Sequence, residues 1–268
     1  MMNDIFDWSR FFRLVGSHFR KNVKAYLISC LVFSGVIVGL FVLLISSYPN
    51  EAIVAGKQFF VYLMAIYGGL FIFTVGIFQT YQRPREGIFQ LMLPASGFEK
   101  FLLGWLVSFG GYVICANAVF FVVRYVVTQF YSARGYEVAG LSDYRQLLDD
   151  SDKVPVVLVL VLAYVFFHAF ALFGSLVFRR MAVLKTALAL LLFILAYWMV
   201  NGTLYNVLFQ LDIQQAPLLP FMPVFIEDGG MTYQVETPDW PYWVVALSIA
   251  VTVLLWVLSY YKLREKEA

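Results

Sequence analysis

The chain has 268 residues, of which 62% are hydrophobic and 13% charged, against about 45–50% and about 25% in a soluble domain. A water-soluble fold of this length could not hide that much apolar surface, so the composition excludes the ordinary globular classes and makes lipid the expected solvent. The net charge of +2 selects no partner class, and two cysteines, Cys30 and Cys115, both inside apolar runs, are too few for a disulfide framework or a zinc site and read as packing residues.

The first element is amphipathic. Trp8, Phe11, Phe12, Val15 and Phe19 recur at i, i+3, i+4, i+7 and i+11, with Arg10, Arg13, Ser17, Arg20 and Lys21 on the other faces. A basic helix with aromatics on one side lies flat at a headgroup surface, which predicts an interfacial helix over 5–22. It would steer the first span and contact a cytoplasmic partner, or serve only as a topology anchor. No small-residue cleavage site follows the apolar run after it, so the first span is expected to be an uncleaved anchor.

Six stretches free of Asp, Glu, Lys and Arg follow, and they predict spans over about 25–47, 58–80, 101–124, 154–178, 186–209 and 241–261. Each has about the 20 residues that cross a ~30 Å hydrocarbon layer at 1.5 Å per residue. Helix is the open-ended structure that satisfies its own backbone in lipid. The expected fold is therefore all-α, a single six-span transmembrane domain with an N-terminal elbow helix. An even number of spans puts both termini on one side. Fourteen of the 19 Lys and Arg fall on that side and five on the other, so the termini are expected in the cytoplasm of a cell (inner) membrane. Tyr48, Trp240, Tyr242, Trp243, Tyr260 and Tyr261 stand where an aromatic interface belt belongs.

Between spans 2 and 3 lies the most distinctive segment, Arg83 to Lys100. Pro84-Arg85-Glu86 suits a helix start, Ile88, Leu91 and Met92 share one face, and Pro94 ends the helix. Ser96 with Glu99 three residues on is the capping-box pattern of a second helix leading into span 3. By pattern this is either an ordinary connector or a short rigid helix that transmits force from a soluble partner.

Arg85-Glu86-Gly87, then Leu91-Met92-Leu93-Pro94-Ala95-Ser96, then Glu99-Lys100-Phe101-Leu102-Leu103-Gly104 resembles the coupling-helix segment of ABC-2 type transporter permeases. The motif covers about twenty residues, while the elbow helix, six spans and coupling helix match that family along the whole chain. The resemblance implies an exporter permease subunit, itself not an enzyme, that pairs as a homo- or heterodimer and binds cytoplasmic ATPase subunits. Arg85, Glu86, Gly87, Leu91, Leu93, Pro94, Ser96 and Glu99 would form the coupling contact. No GxxxxGK[ST] loop is present, so ATP and magnesium would sit on the partner, with no cofactor or metal on this chain. The lipid bilayer is the remaining partner, and no nucleic-acid partner is expected.

Inside the spans, His168 is the one ionisable residue near mid-membrane, expected to be neutral and bonded to a neighbouring helix. Arg124 closes span 3 and is expected to reach water. Gly35 and Gly39 in span 1, and Gly104 and Ser108 in span 3, have small-xxx-small spacing that permits close helix approach, within the chain in preference to a dimer seam. Asn117, Asn201 and Thr203 are candidate interhelical hydrogen-bond formers. On the outer side, 129–153 with Asp149, Asp150 and Asp152 predicts a solvated loop. Ala216 to Phe225, apolar but cut by three prolines, predicts a re-entrant segment. A secondary transporter or channel would call for buried charges or broken helices at mid-membrane, and an intramembrane enzyme for clustered His, Glu or Asp. Neither pattern is in the sequence. A structural subunit without transport stays open.

Overall fold

A computed structural model of the chain describes residues 6–47, 55–82, 95–136, 138, 156–209, 224–228, 231–235 and 240–266. Among these residues six helices are long and apolar enough to cross a membrane, in the places the charge-free runs predict. Span 1 is Trp8–Ser47. Span 2 runs from Ala55 through Gln82, and span 3 from Gly97 to Ser132. Spans 4, 5 and 6 are Val156–Val177, Ala182–Phe209 and Trp240–Arg264. The protein is a multi-pass membrane protein.

Residues 8–47 form one unbroken helix of 40 residues where two elements are predicted. No proline or glycine lies between Ser17 and Ser34, so nothing interrupts the i→i−4 ladder at the expected join. At 1.5 Å per residue this helix is about 60 Å long, twice the hydrocarbon thickness. About half of it must therefore lie outside the apolar layer, and the charges of Arg10 to Lys24 mark which half.

Span 2 is the hub, with 39% of its apolar window buried against 11% in spans 5 and 6. Val61 and Ala65 pack with Ile37 and Phe41 of span 1 and Phe120 of span 3. Ile66 and Leu70 meet Tyr112 and Ala116. Phe71 and Val75 meet Ala171 of span 4 with Ala182 and Leu190 of span 5, and Phe78 meets Leu172, Leu176 and Leu263 of spans 4 and 6. The four-residue link between spans 4 and 5 turns on Met181, which takes a left-handed backbone (φ 55).

Two glycine predictions separate. A Cβ on Gly104 would meet Phe78 Cζ at 2.8 Å, so spans 2 and 3 do approach through it. At Gly35 and Gly39 nothing lies within 4 Å of such an atom, which corrects the expectation of a close contact there within the chain. Close approaches occur instead at Gly69, where a Cβ would overlap the Tyr112 hydroxyl, and at Gly174, where it would overlap Thr186.

One element departs from all-α. Val224–Asp228 (β1) and Met231–Val235 (β2) form an antiparallel pair in the register Val224↔Val235 to Asp228↔Met231. Gly229-Gly230 between them is a two-residue hairpin signal flanked by β-branched and aromatic residues. Val224 and Phe225, the end of the predicted re-entrant segment, are strand. Ala216 to Pro223, Tyr48 and the Asp149–Asp152 cluster lie outside the described residues.

Candidate functional site

Of the predicted coupling residues, Arg85, Glu86, Gly87, Leu91, Leu93 and Pro94 lie outside the described residues, and Ser96 and Glu99 lie within them. Those two form the predicted capping box. Ser96 is extended (φ −69, ψ 156) and its Oγ accepts the Glu99 N–H at 3.2 Å, while Glu99 Oε2 accepts the Ser96 N–H at 3.0 Å. The free amides of a first helical turn need such acceptors.

Glu99 does more than cap its own helix. Its side chain is fully buried, and Arg10 Nη2 donates to Oε1 at 2.9 Å while Arg10 Nε lies 3.1 Å from both oxygens. The Asp7 N–H also donates to Oε1, at 2.8 Å. Asp7 in turn accepts the Arg10 N–H at 3.0 Å and caps the start of span 1. That backbone donor holds the Asp7 carboxyl below its ordinary range. One carboxylate thus joins the N-termini of spans 1 and 3. Glu99, which the resemblance places in the coupling contact, has no exposed surface, and its oxygens are taken by Arg10, Asp7 and Ser96.

An aromatic layer extends the junction. Phe6 lies 4.9 Å from Trp8 and 6.1 Å from Phe98, and Phe98 lies 6.1 Å from Tyr260 at the end of span 6. Phe101 meets Tyr260 at 5.7 Å. The predicted stripe on span 1 divides. Phe11 is buried and Val15 packs with it against Leu103 and Val107, while Trp8, Phe12 and Phe19 are exposed. Arg10, which the sequence offers only as one more positive charge, is the residue the motif reading missed.

A second polar centre lies at mid-membrane, where His168 is bonded to two helices. Trp256 Nε1 of span 6 donates to His168 Nδ1 at 3.3 Å. An indole N–H only donates, so Nδ1 accepts and the neutral ring carries its proton on Nε2. Nε2 lies 2.8 Å from Ser108 Oγ, whose own proton goes to Gly104 O at 2.7 Å. Trp105 and Phe109 enclose the ring. Spans 3, 4 and 6 are held by one satisfied chain of hydrogen bonds, as the expectation of a neutral, bonded histidine has it.

Spans 2 and 3 each contain a π-helical turn, Met64–Gly68 and Val107–Gly111. The second ends in the pair Gly110-Gly111, and the first ends on Gly68 with Gly69 opening the next α-helical stretch, positions where the regular α-helix is weakest. Tyr112 donates to Ala65 O at 3.1 Å and Tyr164 to Phe109 O at 2.7 Å, so a neighbouring tyrosine holds a carbonyl of each turn. These turns are the broken regularity the sequence reading did not find. Nearer the far end, Arg124 is buried and donates from Nε to Gln58 Oε1 at 2.7 Å, which corrects its expected exposure to water. Asn117 accepts from Tyr62 at 3.0 Å, as expected, whereas Thr203 bonds its own helix at Met199 O.

Among the described residues no group of three or more His, Cys, Asp or Glu could hold a metal ion. No protein-family model, no curated protein and no solved structure matches the chain. Among the described residues, fold and polar centres define a membrane protein with six spanning helices, in which the Arg10–Glu99 pair sits where spans 1 and 3 begin.

Proposed function

We propose that the chain is the membrane-spanning permease subunit of an ATP-driven exporter of the ABC-2 type. Both termini would be cytoplasmic, and a separate ATPase subunit would dock on the segment between spans 2 and 3. The observation that carries this reading is the Glu99 junction. A push on the connector reaches span 3 directly, span 1 through Arg10 and Asp7, and span 6 through Phe98 and Tyr260. Force applied at one loop would then move three helices as a unit, as a two-state coupling between ATPase closure and the bundle requires. Glu99 acts here as a positioning residue, and contact with the ATPase falls to the Arg85–Pro94 stretch. Pairing with a second permease copy completes the reading.

A second reading, a secondary transporter, is favoured by the paired π turns in spans 2 and 3, since helix irregularity at membrane depth marks transport sites. The two separate in one experiment. The chain is co-expressed with a candidate Walker-A ATPase and purified. The exporter reading expects a stable complex whose ATP hydrolysis depends on this chain and falls when Glu86 and Leu91 are both changed to Ala. No ATPase retained under any detergent condition, with uptake driven by an ion gradient in vesicles, would replace it with the second reading.

A further inference from the structure

The ends of spans 4 and 6 meet the start of span 5 in a cluster of cations. Between Lys153 and Asp212 the sequence has three charged residues, Arg179, Arg180 and Lys185, all positive. All three are exposed, on the link and the first turn of span 5. Lys262, Arg264 and Lys266 close span 6, and Leu263, packed on Leu172 and Leu176, seats that end on the end of span 4. Lys266 Nζ donates to Leu176 O at 3.2 Å, beside Gln82 Nε2, which donates to the same oxygen at 2.6 Å, so both side chains cap the carbonyl end of span 4. Burial, then the charges of Arg179 and Lys262, lower the Lys266 pKa, which puts both cations within electrostatic reach of its ammonium. Lys262 is paired with Glu265 at 2.6 Å. With Glu267, which lies outside the described residues, the stretches 177–185 and 258–268 hold six cations and two acids. Met181 stands in the link with a left-handed backbone (φ 55) and is 65% exposed. Glycine or asparagine is the usual residue in that conformation. The methionine instead offers a flexible apolar side chain, with Val177 and Leu184 also exposed nearby in the sequence.

An excess of positive charge at a junction of helix ends, interleaved with exposed apolar side chains, matches the boundary between a lipid headgroup and its acyl chains. We infer that this junction binds one anionic phospholipid, its phosphate between Arg179 and Lys266 and its first acyl carbons on Met181 and Leu184. An ammonium has three N–H donors, and one is given to Leu176 O, so Lys266 holds the end of span 4 and a phosphate oxygen together. The phosphate offsets the repulsion that Arg179 and Lys262 exert on Lys266. The inference depends on the membrane setting and not on the exporter reading.

The test is native mass spectrometry of the full chain in detergent, titrated separately with phosphatidylglycerol, phosphatidylcholine and glycerol 3-phosphate. One phosphatidylglycerol should be retained per chain about 25-fold better than phosphatidylcholine, because each of two basic side chains contributes about fivefold. Arg179→Gln should cut that preference about fivefold. Arg179→Gln with Lys266→Gln should abolish it, while the glutamine amide still donates to Leu176 O. Arg20→Gln with Lys24→Gln removes the same charge from span 1 and should leave the preference standing. Met181→Asn, which suits the left-handed backbone, should weaken retention of both lipids. Equal retention of the two lipids by the unaltered chain overturns the proposal, as does a preference that survives loss of Arg179 and Lys266. A preference lost as fully with Arg20 and Lys24 overturns it too, because diffuse basic charge would then suffice. So does undiminished retention of both lipids by Met181→Asn. Glycerol 3-phosphate bound as well as phosphatidylglycerol would assign the cluster to a soluble phosphate. Should the chain lacking both cations not fold, Arg179→Gln alone, at an exposed position, decides the matter.

Discussion

The Arg10–Glu99 pair gives the sharpest quantitative test. Glu99 is fully buried, but the Arg10 side chain is 33% exposed, so the pair lies between two regimes. Exposed pairs contribute about 0–1 kcal/mol, and removing one partner of a fully buried pair costs about 3–5 kcal/mol. Arg10→Met leaves Glu99 with the Asp7 and Ser96 amides and no cation, and should destabilise by about 2–3 kcal/mol. Glu99→Gln keeps a capping acceptor but loses charge assistance, for about 1–2 kcal/mol. If the two residues act on one another, the double variant loses less than the sum, with a coupling energy near 1.5 kcal/mol. The measurement is unfolding of the four chains in mixed detergent micelles. A coupling below about 0.5 kcal/mol would mean that solvent screens the pair, and spans 1 and 3 would not be locked at their N-termini.

Three other predictions follow from the packing. Gly104→Ala should destabilise by about 1–3 kcal/mol because its Cβ runs into Phe78, whereas Gly35→Ala should be near neutral in the same micelle unfolding assay. His168→Leu leaves the Trp256 indole N–H without its acceptor and should cost about 1–3 kcal/mol, seen as a lower melting temperature with unchanged helix content by circular dichroism; a melting temperature equal to the parent's would refute the three-span chain. Lys266, beyond the last span, donates to Leu176 O at 3.2 Å, and burial, then Arg179 and Lys262, push its pKa down to about 8. A lysine with a folded pKa below its unfolded value near 10.5 disfavours the folded state below pH 8, and that penalty is relieved as pH rises from about 8 to 10.5. The melting temperature of the unaltered chain should therefore climb across that window relative to Lys266→Met, and parallel pH profiles would rule out the buried-cation reading.

What the sequence made legible depended on how far apart the informative residues lie. The spans are visible because an absence of charge over about 20 residues is a local property that lipid enforces. The Ser96–Glu99 cap is visible because its two partners are three residues apart. Arg10 is 89 positions from Glu99, and no spacing rule joins them, so the ion pair between spans 1 and 3 is not legible in the sequence. Arg124 misled for the same reason: its acceptor, Gln58, is 66 positions away on another span.

The glycines carry the other part of this lesson. Gly35 and Gly39 have the spacing of a packing motif and touch nothing within the chain. Gly174 lacks that spacing, with Phe170 and Phe178 four residues to either side, and still lets Thr186 in. Spacing along one helix says where a second helix could approach, and the partner's bulk decides whether it does. The Gly68-Gly69 and Gly110-Gly111 pairs were open to a better inference, because two weak points at similar depth in adjacent spans invite the π turns found there. Since Tyr112 spans from one turn to the other, bonding Ala65 O from the residue just after Gly111, the two irregularities are mechanically one. A change in either would be passed to its neighbour, and spans 2 and 3, the pair that flanks the connector, would respond together.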